Sequence, residues 1–188
     1  MSRPMRADAQ RNRARILAAA DAVFAEGGAT ASTEEVARRA GVAIGTVFRH
    51  FPTKDDLVRA LLKRLLEELT AAAADLDGRP GGLLALFELI VERTAANRTV
   101  VEVLAAEVPL AGPLGTLSAA ADRLLQQGQA AGELRESVRI DAVMALLAGV
   151  TQAALSSPPD LRRRALDIVF TGLRRTPSAA PPPQTRTV

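Results

Sequence analysis

Residues 32–56, with the sequence STEEVARRAGVAIGTVFRHFPTKDD, decide the fold of this chain. Ser32 is followed three residues later by Glu35, which is the spacing of a capping box at the start of a helix. In that motif each side chain satisfies a free backbone amide near the other residue. Gly41 then ends the helix, because glycine adopts the left-handed conformation without steric cost. The pattern predicts a short helix between Ser32 and Gly41.

A second short helix is predicted over residues 44–50, directly after the glycine turn. It ends before Pro52, since a proline disfavours helical geometry in the residue that precedes it. Thr53 caps the next helix, and Asp55 and Asp56 lie at its positive end. Two short helices joined by a glycine turn are typical of the helix-turn-helix, whose second helix enters the DNA major groove. The alternative is a purely structural helical hairpin, since such hairpins also carry glycine turns.

The wider sequence pattern favours the helix-turn-helix over the structural hairpin. The segments ILAAADAVFAEGGATASTEEVA (residues 16–37) and AGVAIGTVFRHFPTKDDL (residues 40–57) resemble the signature of the TetR family of bacterial transcriptional regulators. The resemblance implies an all-helical homodimer with an N-terminal DNA-binding domain and a divergent C-terminal domain that binds a small effector and dimerises. Two positions depart from the family pattern. Ala43 stands where a serine or threonine commonly caps the recognition helix, and Phe48 replaces a usual tyrosine, which removes one hydroxyl available to a phosphate.

The second helix carries the expected DNA contacts. Gly45 lets the backbone approach the groove, and Thr46 is polar. Ile44 has no hydrogen-bonding group, so we expect it to contact a thymine methyl. The resemblance implies phosphate contacts by Arg49, His50 and Lys54, together with Ser32 or Thr33. The full set of predicted DNA-binding residues is Ser32, Thr33, Ala43, Ile44, Gly45, Thr46, Phe48, Arg49, His50 and Lys54.

The positions of the charged residues support a nucleic-acid partner better than the net charge of the chain does. The formal net charge is only +3. Arginines nevertheless cluster before the apolar stripe of the first predicted helix, at Arg3, Arg6, Arg11, Arg13 and Arg15. A basic segment beside a helix-turn-helix indicates phosphate contacts. For the residues before Arg11, a solvated terminus is the open alternative.

The remaining sequence has the periodicity of helices and no strand alternation. Helices are predicted over residues 9–26, 53–76, 83–96, 99–108, 116–131, 141–155 and 161–174, with a Pro/Gly bend at 110–115. We therefore expect an all-α fold with a three-helix DNA-binding domain (residues 1–52, with the helix-turn-helix at about 32–50), a helical effector-binding and dimerisation domain (residues 53–175) and a proline-rich, disordered tail (residues 176–188).

The C-terminal half offers candidate ligand and dimer residues. A cavity is predicted among Leu65, Leu69, Phe87, Ile90, Val91, Leu104, Leu124 and Met144, although each is equally suited to a plain core. Thr94, Asn97, Gln127 and Thr151 are the polar groups that could orient a ligand, and an apolar small molecule fits this composition best. The helix over 141–155 is apolar on nearly all sides, which requires burial all round. A dimer interface is predicted at Ala145, Ala148, Gly149, Leu166 and Phe170, with a central core helix as the alternative.

Other function classes find little support. His50 is the single histidine, cysteine is absent, and no metalloprotease, phosphate-loop or dinucleotide motif occurs, so we expect no enzyme, cofactor or metal site. No signal peptide or membrane-length apolar run is visible, so a cytoplasmic protein is expected. The alternatives that remain are a helical DNA-binding protein without an effector and a structural bundle. Salt-dependent DNA binding separates a regulator from the second of these.

Overall fold

The computed structural model describes residues 3–98, 101 and 111–175. Within these residues the chain forms eight α-helices and no strand, apart from an isolated bridge between Leu134 and Arg174. The helices are α1 (Arg3–Gly27), α2 (Thr33–Ala40), α3 (Ile44–His50), α4 (Lys54–Asp75), α5 (Gly82–Ala96), α6 (Ala111–Ala130), α7 (Ile140–Ala154) and α8 (Pro159–Leu173). The expected all-α fold is confirmed.

The first three helices share an apolar core, and we call these helices the head. The stripe of α1 predicted from its spacing is buried, with Ile16 and Phe24 almost fully shielded from solvent. Val36 of α2 and Val47 of α3 are buried against the same cluster. Burying side chains of this size contributes about 1.5–3 kcal/mol each. Within the head, α2 packs against α1, and α3 packs against α2.

The fourth helix joins the head to the rest of the chain, which we call the body. It contacts α1 of the head and α5 and α6 of the body. Its leucines belong to one continuous hydrophobic cluster that extends from Ile16 of the head to Leu173 of the body. Because packed interiors transmit displacement, a shift of α4 in the body has a direct route to the head.

Three helix boundaries differ from the predictions, and each of these helices has a proline near its described start. Helix α1 already includes Pro4, α6 includes Pro113 where a bend was expected, and α8 begins at Pro159. A proline within the first turn loses no intrahelical hydrogen bond, because the amides there have no helical acceptor. The helix predicted over 99–108 falls, except for Val101, outside the described residues, as does the tail at 176–188. Among the helices described, none has the length and hydropathy needed to cross a bilayer.

Candidate nucleic-acid interface

Only one of the two hydrogen bonds of the predicted capping box is present at the start of α2. The Ser32 hydroxyl accepts a hydrogen bond from the Glu35 amide at 3.1 Å. The Glu35 carboxylate, expected to return to the cap, instead accepts from Arg38 Nε at 2.8 Å. This hydrogen bond to Arg38 lowers the pKa of Glu35. The reciprocal capping box at Ser32 was therefore a wrong prediction, because an arginine one turn away competes for the carboxylate.

A complete capping box occurs at the start of α4. The Thr53 hydroxyl accepts from the Asp56 amide at 3.0 Å, and the Asp56 carboxylate accepts from the Thr53 amide at 3.2 Å. Only Phe51, Pro52 and Thr53 separate α3 from α4. The first turn of α4 is therefore fixed close to the end of the recognition helix.

The turn between α2 and α3 follows the glycine prediction. Gly41 has φ 63°, in the left-handed region. The Gly41 amide donates to the Arg38 carbonyl at 3.2 Å, and the Val42 amide donates to the Ala37 carbonyl at 3.1 Å. This pair of bonds is a Schellman motif, which satisfies carbonyls that the end of a helix leaves free.

Helix α3 is anchored from beneath. Val47 is 0% exposed, and the Phe51 amide donates to the Val47 carbonyl at 2.8 Å. At the opposite end Ala43 occupies the N-cap without a side-chain hydrogen bond, and its carbonyl accepts from the Thr46 amide at 2.8 Å. The inward side of α3 is thus well fixed, whereas its N-terminus has no side-chain cap.

The outward side of α3 presents four of the predicted residues together. Ile44 is 38% exposed and Phe48 is 44% exposed, and they lie one turn apart. Gly45 faces open space, and Arg49 is exposed beside Phe48. Thr46 and His50 are half-buried, and the His50 ring lies 6.3 Å from the Phe51 ring. The surface available to a groove is therefore formed by Ile44, Gly45, Phe48 and Arg49, with Thr46 and His50 at its margins.

The other predicted phosphate contacts lie at the starts of two helices. Exposed Ser32 and half-buried Thr33 begin α2, and Lys54 begins α4. The Lys54 ammonium nitrogen also lies 5.5 Å from the centroid of the Phe24 ring. Helix starts carry free amides and a positive dipole end, which suits a phosphate. The first turns of these helices also carry acidic residues, Glu34 and Glu35 in α2 and Asp55 and Asp56 in α4, which offset that positive end.

The arginines before the apolar stripe have partners inside the protein. Arg11 pairs with Asp8, and the Arg13 guanidinium carbon lies 5.3 Å from the centroid of the Phe51 ring. Arg15 Nη2 donates to the carbonyls of Ala40 and Gly41. Their assignment to DNA phosphates came from charge alone, and the sequence had no signal for these contacts because the acceptors of Arg15 lie 25 and 26 residues away. The side chains of Arg3 and Arg6 are not among those that the structure describes.

Two ion pairs fix α1 to its neighbours. Both Arg39 Nη atoms donate to the Glu26 carboxylate at 2.7 Å, which joins the end of α2 to the end of α1. This bidentate contact lowers the pKa of Glu26 and raises the pKa of Arg39. Arg64 of α4 pairs with Asp21 of α1. Helix α1 is therefore tied to both α2 and α4.

In the body, the predicted cavity residues form a packed core. Leu65, Leu69, Phe87, Ile90, Val91 and Leu124 are all buried, and Met144 is half-buried. Leu104 lies outside the described residues. A groove of about 520 Å³ runs beside this core and is lined by Lys63, Leu66, Glu67, Thr70, Ala71, Ala74 and Thr116. The described part of the predicted site is thus a tight cluster with an adjoining groove along α4.

Two of the four polar groups proposed to orient a ligand are used by the chain itself. Asn97 Nδ2 donates to the Arg93 carbonyl at 2.8 Å, and the Gln127 side chain accepts from the Gly78 amide at 2.9 Å. Thr94 is buried. The Thr151 hydroxyl is buried and has no hydrogen-bond partner among the described residues. Thr151 is therefore the polar group in this set that the described structure leaves unsatisfied.

The predicted dimer residues divide between the surface and the core. Ala145, Ala148 and Gly149 of α7 are exposed. Leu166, however, is only 4% exposed and belongs to the chain's own core, and half-buried Phe170 packs edge-on against Phe87 at 5.9 Å.

Two larger residues that the sequence analysis did not name are exposed instead. Leu146 is 43% exposed and Ile168 is 74% exposed. Both line a groove of about 850 Å³ between α7 and α8. The signal that could have found Ile168 is its spacing from Leu161, since residues seven apart share a helix face.

In the described residues, no group of histidine, aspartate and glutamate side chains is placed to hold a metal ion. Glu26, Glu35, Arg38 and Arg39 of the head form surface ion pairs, which suits structural ties within and between helices. The chemistry that the head presents is a short helix with an exposed apolar and cationic side.

Comparison with known proteins places this architecture in a family. The model described as "Bacterial regulatory proteins, tetR family" matches residues 16–61, and the model described as "Transcriptional regulator SbtR-like, C-terminal domain" matches residues 79–175. The solved TetR transcription regulatory protein from Mycobacterium vanbaalenii is 33% identical, with a TM-score of 0.73, and the match covers 92% of this chain and 100% of that one. The TetR transcriptional regulator SCO0520 from Streptomyces coelicolor is 32% identical, with a TM-score of 0.69 and coverage of 87% and 99%.

Sequence relatives match mainly through a shorter region. The HTH-type transcriptional regulator Rv2912c of Mycobacterium tuberculosis is 34% identical over 93 residues, which are 47% of this chain and 48% of that protein. The HTH-type transcriptional repressor Rv3405c of the same organism is 52% identical over 58 residues, or 30% and 31% of the two chains. The chain thus spans less than half the length of these relatives. The two family models and the nearly full-length structural matches show that the chain belongs to the TetR family of bacterial regulatory proteins, which are not enzymes.

Proposed function

We propose that this protein is a transcriptional repressor that binds a palindromic operator as a homodimer and leaves it when a small apolar effector binds. The observation that carries the proposal is the outward side of α3, where Ile44, Phe48 and Arg49 are exposed over a buried Val47 anchor. In this proposal residues 1–52 bind DNA and residues 53–175 bind the effector and dimerise. Repression is supported by the 52% identity over 58 residues to a protein named as a repressor.

Each residue on this side of α3 has a role that suits a major groove. Ile44 supplies an apolar contact to a thymine methyl, and Gly45 leaves room for the DNA backbone or base edges to approach. Arg49 contacts phosphate from the exposed end of α3, with Lys54, His50 and Ser32 or Thr33 beside it. Phosphate contacts fix the position of the helix, and base contacts give the sequence preference.

The salt dependence of DNA binding tests this arrangement. With a duplex enriched from a random-sequence library, Arg49→Met should reduce the slope of log affinity against log salt by about one unit for each head. The loss of counterion release is the physical reason, and fluorescence anisotropy at several salt concentrations measures it.

Arg79→Met is the matched control. Arg79 is exposed and follows the far end of α4, a helix of 22 residues that spans about 33 Å. Its removal should leave the slope unchanged. Equal slopes for the wild type and Arg49→Met would contradict the assignment of Arg49, and failure to enrich any duplex would contradict DNA recognition by this chain.

The homodimer is supported by the apolar surface of α7 and α8. Leu161, Ala165, Ile168 and Gly172 recur at helical spacing along α8, and both large members are more than half exposed. Leu146 and the small residues of α7 adjoin them. Two such helix pairs can meet across a two-fold axis as a four-helix interface, with the small residues allowing close approach.

A charge placed in this surface should separate the protomers. Ile168→Glu is expected to yield monomers in sedimentation experiments, because the dimer would bury an unpaired carboxylate. Arg163→Glu introduces the same side chain on another side of α8 and should leave the dimer intact. A dimeric Ile168→Glu protein, or a monomeric wild type, would exclude this interface.

The effector site is proposed at the buried cluster where α4 meets α5 and α6. Leu65 and Leu69 of α4 belong to this cluster, and the first turn of α4 lies beside α3. An apolar molecule wedged against these leucines would tilt α4 and change the separation of the two heads. Operator half-sites have fixed spacing, so the altered dimer would fit them poorly.

Thermodynamic reciprocity tests the mechanism. A ligand found by a thermal-shift screen of apolar metabolites should weaken operator binding by roughly 5- to 150-fold, and the operator should weaken ligand binding by the same factor. Calorimetric titration with and without the operator duplex measures both. Equal ligand affinities in the two titrations would leave a DNA-binding protein without an effector-driven release.

A further inference from the structure

Arg15 is an exposed arginine whose guanidinium contacts two backbone carbonyls of the turn after α2. Arg15 Nη2 donates to the Ala40 carbonyl at 2.6 Å and to the Gly41 carbonyl at 3.2 Å. Both carbonyls lie at the negative end of the α2 dipole, where a cation is stabilising. Hydrogen bonds from a charged donor are shorter and stronger than neutral ones. Arg15 thus ties α1 to the turn that precedes the recognition helix.

The recognition helix has few other constraints at this end. Ala43 at its N-cap offers no side-chain hydrogen bond, so the start of α3 has no side-chain cap between half-buried Val42 and buried Val47. Only Val42 and Ala43 lie between the Gly41 carbonyl and Ile44. The direction in which α3 leaves the turn therefore depends on how firmly the turn is held against α1.

The glycine at the turn is matched to this contact. A Cβ atom built on Gly41 would lie 2.7 Å from Arg15 Nη2, closer than such atoms approach. A side chain at this position would push the guanidinium away from the two carbonyls. Gly41 thus suits both the left-handed φ of 63° and the close approach of Arg15.

We propose that Arg15 is a positioning residue that fixes the orientation of the recognition helix by holding the turn between α2 and α3, and that it is not a phosphate ligand. This inference rests on the proposed role of α3 in reading DNA. Arg15 would then affect the sequence specificity of DNA binding. If α3 were free to tilt, it would keep its attraction to phosphates but lose its alignment with base edges.

The test separates specific from non-specific binding. Arg15→Met keeps most of the side-chain volume and removes the donors. Its affinity for the duplex enriched from a random-sequence library should fall roughly tenfold, in keeping with the loss of a charged hydrogen bond. Its affinity for calf thymus DNA should change less than about twofold, and the slope of log affinity against log salt should stay that of the wild type. Arg15→Lys retains a donor and should restore part of the specific affinity.

Arg11→Met is the matched control for charge. It makes the same substitution one turn earlier on α1, at an exposed arginine paired with Asp8. It removes the same positive charge without touching the turn, so the ratio of specific to non-specific affinity should remain that of the wild type. An equal fall of this ratio in both variants would overturn the positioning role.

A measurement without DNA keeps the inference independent of the proposed function. In the full-length Arg15→Met protein, amide hydrogen exchange at Val42 and Thr46 should accelerate, while buried positions of α1 such as Ile16 stay protected. Unchanged exchange at both amides would overturn the proposal. It would also be overturned if Arg15→Met lowered the salt slope by about one unit per head and lost specific and non-specific affinity equally. If the wild type enriches no duplex, the proposed function fails and the exchange result alone decides the role of Arg15.

Discussion

The recognition helix is too short to be stable by itself, and the rest of the head is arranged to hold it. Helix α3 has seven residues, whereas isolated helices of fewer than about 12–15 residues are marginal in water. Its order therefore comes from tertiary contacts: buried Val47 beneath it, the Gly41 turn before it and the buried Phe51 after it. Helix α1 packs against α2, and its Arg15 and Arg13 reach the Gly41 turn and the Phe51 ring.

This dependence links DNA recognition to the body of the protein. Only three residues separate α3 from α4, and the capping box at Thr53 starts α4, so the two helices share a short and well-bonded junction. The same α4 pairs with α1 through Arg64 and Asp21 and contributes its leucines to the body core. A displacement of α4 would thus act on α3 both at their junction and through α1, which gives the proposed effector response a physical route.

The features of the head that depend on local signals could be predicted from the sequence. Those that depend on contacts between distant residues could not. Ser32, Gly41, Pro52 and Thr53 act within a few residues of themselves, and the predicted limits of α3 agree with the structure. The partners of Arg13 and Arg15 depend on how α1 packs against the turns, which no local pattern encodes. The same limit applies in the body, where Leu166 and Ile168 are similar in sequence terms and only the orientation of α8 places one inside and the other outside.

The central claim is that the exposed side of α3 reads bases, and thymine methyl groups give the most direct test of it. Operator duplexes in which single thymines are replaced by uracil should be bound by the wild type and by Ile44→Ala in parallel measurements. The account predicts that replacing one thymine in each half-site weakens wild-type binding and has no effect on Ile44→Ala, because the methyl contact is already gone. Equal losses for the two proteins at every thymine would show that Ile44 does not read the groove and would contradict the placement of α3.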